Sequence, residues 1–271
     1  MARTRIGRAG LPILTVVICA FIVLPLAVVI AFSVTTSPYV VFPPTGFSLR
    51  WYQQVLSSQE YIGSLVLSLQ ITVGVLGLVF LLGFPAALGL ARGQFRGREA
   101  LTYYVMSPIL VPTVVFGLAA LQFYPDLGLP GATTPIVIGH SVWILPVVVR
   151  YITASLLSAD LDKMEQAAAT LGARPFWVTM RITLPAIRPG MAAAGLMAFA
   201  LSFDEAVISL FLSTPNATPL PVRILGQVQS NPGDTFTAAV GTVVLLISLG
   251  VAAIVEKIYG LERALIGRGG S

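Results

Sequence analysis

The sequence predicts an all-α membrane protein with about six transmembrane helices, and three observations carry that prediction. The chain has 271 residues, 56% of them hydrophobic and 10% charged, whereas soluble domains carry about 25% charged residues. Six apolar stretches can be drawn, at roughly 11–32, 62–91, 101–124, 134–157, 190–213 and 236–258, each near or above the roughly 20 residues that cross a bilayer as a helix. The basic residues, finally, cluster in alternate loops rather than in one patch.

Taken in order, the first stretch follows Arg3, Arg5 and Arg8. Its apolar run exceeds the usual 7–15 residues of a signal peptide and ends without a clear small-x-small cleavage site, so it reads as a retained helix. Cys19, the single cysteine, lies inside it and can form no internal disulfide; packing is its expected role. The second stretch is longer than a span requires and must begin or end outside lipid. The third to sixth read as single spans. Pro25, Pro85, Pro112 and Pro146 fall inside apolar stretches, as membrane helices tolerate. Six crossings leave both termini on one side. With the N-terminus in the cytoplasm, only Arg50 and Arg223 of the sixteen basic residues fall outside, which is the asymmetry of the positive-inside rule. The net charge of +5 is therefore a topology signal, and nucleic acid is not an expected partner.

Several chemistries are excluded. Neither Lys163 nor Lys257 follows a glycine, so no phosphate-binding P-loop is present. His140 is the sole histidine, which removes the usual histidine pairs of metal sites, and no G-x-S-x-G elbow appears. The chain is expected to be no enzyme, with no catalytic residue and no metal site.

The loops carry further structure. In VFPPTGFSLRWYQQVL, Ser48 can cap a short helix whose Leu49, Tyr52 and Leu56 share one face along the membrane edge. The loop at 214–235, rich in Pro, Asn and Thr, reads as irregular surface. Residues 158–189 are too polar for lipid. Asp162 with Glu165 forms a capping box for a helix starting around Lys163, with Met164, Ala167, Ala168 and Leu171 on one face and Gly172 placed to stop it. Pro175 can open a second short helix carrying Phe176, Met180 and Leu184, which Pro185 ends. Small residues permit close docking against another protein; packing of the hairpin beneath its own bundle is the alternative that spacing leaves open.

This segment, EQAAATLGARPFWVTMRITLP, resembles the cytoplasmic EAA loop of ABC-importer permeases, in which E-A-A is followed by three residues, G, nine residues and I-x-L-P. Ala167, Ala168, Gly172, Ile182, Leu184 and Pro185 fit that spacing; the motif's glutamate position is Gln166, and the acid stands one place earlier, at Glu165. FPPTGFSLRWY, FRGRE, LSFDEAVISLF and PLPVRI are similar to the spermidine/putrescine branch, and iron and phosphonate systems share these motifs. The resemblance implies a type I ABC-importer permease fold, one transmembrane domain over residues 1–271 with its coupling loop at 158–189. It also implies that Glu165, Gln166, Ala167, Ala168, Leu171 and Gly172 meet an ATPase. The partners implied are a second permease subunit, two cytoplasmic ATPases that bind ATP and Mg, an extracytoplasmic solute-binding protein and the lipid of a bacterial inner membrane. This chain itself would hold no cofactor.

Asp204 and Glu205 are the acidic residues well inside a span. A carboxylate there costs about 2.5–3.5 kcal/mol on insertion scales, so it must face a bundle interior or a wet cavity. On a continuous helix Ser202, Glu205 and Ser209 share a face, with Asp204 about 100° away. Either these residues line a path for a small cationic solute, or the carboxylates bond a neighbouring helix or cap a local break. His140 and Trp143 read more simply as a buried hydrogen-bonding residue and a packing residue. The reading that follows is the permease subunit of a binding-protein-dependent, ATP-driven importer for a cation such as a polyamine. An ion-gradient-driven secondary transporter is the rival, opposed by the absence of a clear repeated half; a membrane scaffold without transport would leave the mid-span acids unexplained.

Overall fold

The computed structural model describes residues 6–159 and 161–260, with side chains from residue 12 onward. Among the described residues the chain is built from helices and turns, without a strand; Tyr39–Asp234 and Thr214–Ala217 form isolated bridges. In order, the helices are α1 (Ile6–Ser33), α2 (Arg50–Ser57), α3 (Gln59–Arg92), α4 (Arg98–Met106), α5 (Thr113–Phe123), α6 (Thr134–Ser158), α7 (Asp162–Thr170), α8 (Pro175–Val178), α9 (Leu184–Ala186), α10 (Arg188–Phe203), α11 (Val207–Leu212), α12 (Leu220–Ser230) and α13 (Thr235–Tyr259).

Four of these are long and apolar enough to cross a membrane: α1 over Pro12–Ser33, α3, α6 and α13. Two bent pairs bring the possible crossings to six, namely Arg98–Leu110 with Thr113–Leu127, bent by 97°, and Pro175–Ala186 with Arg188–Phe203, bent by 73°. The third apolar stretch is thus broken rather than one straight helix. Proline explains the position: Pro112 has no N–H to continue the preceding turn, and its carbonyl starts α5 by accepting from Phe116 at 3.0 Å. The loop at 214–235 also departs from expectation, because α12 occupies half of it.

The chain divides into two compact units. One comprises residues 1–62 and 224–247. In it, α2 is fixed by Trp51, whose indole N–H donates to the Thr35 carbonyl at 2.8 Å, and by a 2.6 Å bond between the Tyr52 and Ser33 hydroxyls. Trp51 and Val55 are buried against the unit, whereas Leu49 and Leu56, on the face expected along the membrane edge, are exposed. Ser48 is not the N-cap: Leu49 occupies that position without a side-chain cap, and Ser48 Oγ accepts from the Arg50 N–H at 3.3 Å from one residue further out. Val40 N–H donates to the Gly233 carbonyl and Thr235 N–H to that of Pro38, which ties the early loop to the start of α13.

The other unit, which among the described residues comprises 63–159, 161–223 and 248–260, holds the main apolar core. Val75, Val79, Ile144, Val148, Ala194 and Ile208 are fully buried there, on α3, α6, α10 and α11. Small residues set the closest approaches. A Cβ at Gly190 would lie 2.5 Å from the Ser155 Cβ, and one at Gly117 would lie 2.6 Å from the Phe211 ring. Only glycine lets α10 lie this near α6, and α5 this near α11.

Candidate functional site

Residues 162–186 form the expected hairpin between α6 and α10. Its first helix starts one residue earlier than predicted, and the capping box is not made. Asp162 is already the first helical residue, and no side chain caps the N-terminus. The acid of the box, Glu165, is used elsewhere. One carboxylate oxygen pairs with the Arg92 guanidinium at the end of α3, and the other accepts from the Thr183 hydroxyl at 2.5 Å. The stop is the predicted one. Gly172 has φ of +81°, Ala173 N–H donates to the Ala168 carbonyl at 3.0 Å, and Gly172 N–H donates to that of Ala169 at 2.9 Å. This double bond pattern ends a helix through a left-handed residue that glycine adopts without strain.

The opposite side of the hairpin is turned outward. Met164, Gln166, Ala167, Leu171, Phe176 and Trp177 are exposed, Leu171 at 88%, while Ala168 is half-buried. The Phe176 and Trp177 rings meet edge-on with centroids 5.6 Å apart, and the Arg181 guanidinium lies 4.6 Å from the Trp177 ring centre. The second half of the hairpin is less regular than its sequence promised. Thr179–Thr183 forms a π turn, Pro185 sits inside α9 rather than ending a longer helix, and the chain bends at the buried Ile187 directly into α10.

The second candidate region is a break in the fifth span. α10 stops at Phe203 and α11 starts at Val207, so Ser202, Glu205 and Ser209 do not lie on one continuous helix. Glu205 Oε1 accepts from the N–H groups of both Val207 and Ile208, at 2.7 Å each, and caps α11. Asp204 is exposed. The two serines turn away from the acids and meet on α6: Ser202 Oγ lies 3.2 Å from His140 Nδ1, and Ser209 Oγ lies 2.9 Å from Nε2. Ser202 also donates to Thr72 Oγ1 at 3.4 Å. All four side chains are buried. His140 therefore links both sides of the break, a hydrogen-bonding role its isolation in the sequence indicated, and Trp143 packs against the core. Among the described residues no three His, Cys, Asp or Glu side chains converge as a metal would need.

Sequence reasoning did not find Arg92, Thr183 or Thr72. Their partners lie 73, 18 and 130 residues away, so no local spacing marks them.

Comparison with known proteins gives the family. Residues 80–259 match the family described as the binding-protein-dependent transport system inner membrane component. The putrescine transport system permease protein PotI of Escherichia coli K12 is 32% identical over 216 residues, covering 77% of this chain and 76% of its own. The spermidine/putrescine transport system permease protein PotC of the same strain is 27% identical, covering 86% and 87%. The molybdenum transport system permease protein ModB of Mycobacterium bovis is 33% identical, covering 70% and 78%. In three dimensions, a bacterial ABC transporter involved in importing the acidic polysaccharide alginate superposes with a TM-score of 0.69 at 18% identity, covering 96% of this chain and 98% of that one. An all-helical multi-pass chain with these matches belongs to the family of inner-membrane permease components of binding-protein-dependent transport systems.

Proposed function

We propose that this chain is one translocation subunit of an ATP-driven importer whose solute is a polyamine. The observation that carries the ATP-driven part is the hairpin at 162–186, whose outward face presents Met164, Leu171, Phe176 and Trp177. Large apolar residues clustered on a water-facing hairpin mark a surface that another protein covers. An ATPase subunit is the partner the EAA pattern implies, and the ATP and Mg would be held there. A second permease, a second ATPase and an extracytoplasmic binding protein complete the assembly. Gln166 and Ala167 lie within the covered face and Ala168 at its edge, with Gly172 fixing its end. The distribution of the basic residues supports a cytoplasmic position for this hairpin and both termini.

Polyamine is the solute class of the two Escherichia coli relatives, and Asp204 supports it as an exposed carboxylate beside a break in a span. Glu205 caps α11 at that break, and Ser202 and Ser209 bond His140 from either side of it. The test is uptake of radiolabelled putrescine or spermidine into vesicles containing the purified complex, with its binding protein outside and ATP inside. Uptake should require ATP and survive a protonophore. Uptake that ignores ATP and stops with the protonophore would restore the ion-gradient reading. ATP-dependent uptake of molybdate instead would retain the importer and replace the solute.

A further inference from the structure

One carboxylate joins three segments that are separate in sequence. Glu165 on α7 engages Arg92 in the last turn of α3 and Thr183 in the π turn of the hairpin's second half. Thr183 is fully buried, and the Glu165 side chain retains 16% of its exposure against 31% for Arg92. The carboxylate is shielded on its Thr183 side, while the guanidinium keeps one side toward water. Leu171–Arg174 connects α7 to α8, which runs on into the π turn; the carboxylate adds a side-chain tie between the two halves and fastens both to α3.

α3 carries the connection onward. It is one continuous helix from Gln59 to Arg92. Pro85 removes one of its hydrogen bonds, but α6 packs closely beside that stretch, where a Cβ at Gly83 would lie 3.2 Å from Val148. Ser68 is 24 positions from Arg92, roughly 36 Å at about 1.5 Å per residue. Its hydroxyl accepts from the Leu220 N–H at 2.8 Å, and Ser64 accepts from Arg223 Nε at 2.6 Å. Between these ends, Thr72 meets Ser202 beside the break that exposes Asp204.

We propose that Arg92, Glu165 and Thr183 form the linkage through which a displacement of the hairpin reaches α3. Through α3 it reaches the 204–206 break and the 219–224 segment. The proposal rests on the importer reading above. These are positioning residues, since none touches solute or nucleotide. The linkage also accounts for the altered motif: the acid at position 165 serves an internal joint, and the ATPase meets the neutral Gln166. A hydrogen-bonded pair with a buried third partner holds direction as well as distance, as transmission of a rigid-body motion requires.

The test uses the whole complex in vesicles, with radiolabelled putrescine, its binding protein outside and ATP inside. Glu165→Gln, Arg92→Gln and the double exchange Arg92→Glu with Glu165→Arg are compared for three quantities: ATPase co-purified, ATP hydrolysis without binding protein, and uptake. In the single variants the first two should stay within about twofold of the parent while uptake falls about tenfold or more, and the exchange should recover part of the loss, because it restores the ion pair but leaves the Thr183 hydroxyl without its acceptor. Uptake unchanged in Glu165→Gln overturns the linkage. So does loss of the ATPase from either single variant, because Glu165 would then be part of the docking face or of the hairpin's stability. An exchange that transports no better than the single variants overturns it as well. A parent complex without ATPase overturns the importer reading itself, and a parent complex with ATPase but no ATP-dependent putrescine uptake overturns the polyamine assignment.

Discussion

At Glu205 a single oxygen accepts the first two free N–H groups of α11, while its neighbour Asp204 stays exposed. Adjacent acids thus have different work, and paired substitutions separate them. Glu205→Gln keeps an oxygen at the cap, so complex yield and uptake should remain near the parent. Glu205→Leu leaves both N–H groups without an acceptor and should cost about 1 kcal/mol of stability, read as a lower melting temperature of the purified complex. Asp204→Asn removes the charge at nearly constant volume; it should lower polyamine uptake about tenfold, a change worth about 1.4 kcal/mol, at normal complex yield. Equal uptake by Asp204→Asn and the parent would end the acidic-path reading. The sequence showed these acids to be exceptional because their cost in lipid is high. It did not show the division of labour, since a period of 3.6 assumes a helix that in fact stops at Phe203. Ser202 and Ser209 do end on common ground, but because two hydroxyls either side of the break reach two nitrogens of His140.

At the scale of elements, the hairpin was the most legible part of the chain, and glycine chemistry explains why. Helix stops depend on a few local residues: Gly172 at φ of +81° and the N–H groups of Gly172 and Ala173 complete the end of α7 without tertiary help. Gly172→Val should therefore strain the connection by about 1–3 kcal/mol and weaken ATP-coupled uptake. Ala168→Trp, at the half-buried edge of the docking face, should reduce ATPase co-purification while membrane insertion continues. Full ATP-coupled uptake by both variants would remove the case for docking. The start of α7 was misread for the complementary reason. A capping box predicts where Glu165 would point if nothing else competed, and Arg92 and Thr183 compete from distant parts of the chain. The broken third span and α12 were missed similarly. Apolar composition reports depth in the membrane but not direction, so a 97° bend costs the pattern nothing.

For the whole molecule, the proposed orientation rests on charge. Helices and hydropathy permit either direction of insertion, because four long spans and two bent pairs give an even number of crossings whichever end enters first. The free energy that separates the two directions comes from the loops. Arg92, Arg96, Arg98, Lys163, Arg174, Arg181 and Arg188 lie on one side of the six-span arrangement, and Arg50 and Arg223 on the other. Ser57 at the end of α2 and Arg174 in the hairpin should consequently face opposite compartments, and both are exposed. Single cysteines at these positions, in a background where Cys19 is replaced, can be probed in intact cells with a membrane-impermeant thiol reagent. The residue-57 cysteine should label without permeabilisation, and the residue-174 cysteine only after it. The reverse pattern would put the hairpin outside, away from cytosolic ATP, and remove the ATPase as its partner. Labelling of both in intact cells would mean that the chain between them crosses an even number of times, and that one bent pair is a re-entrant loop rather than a span.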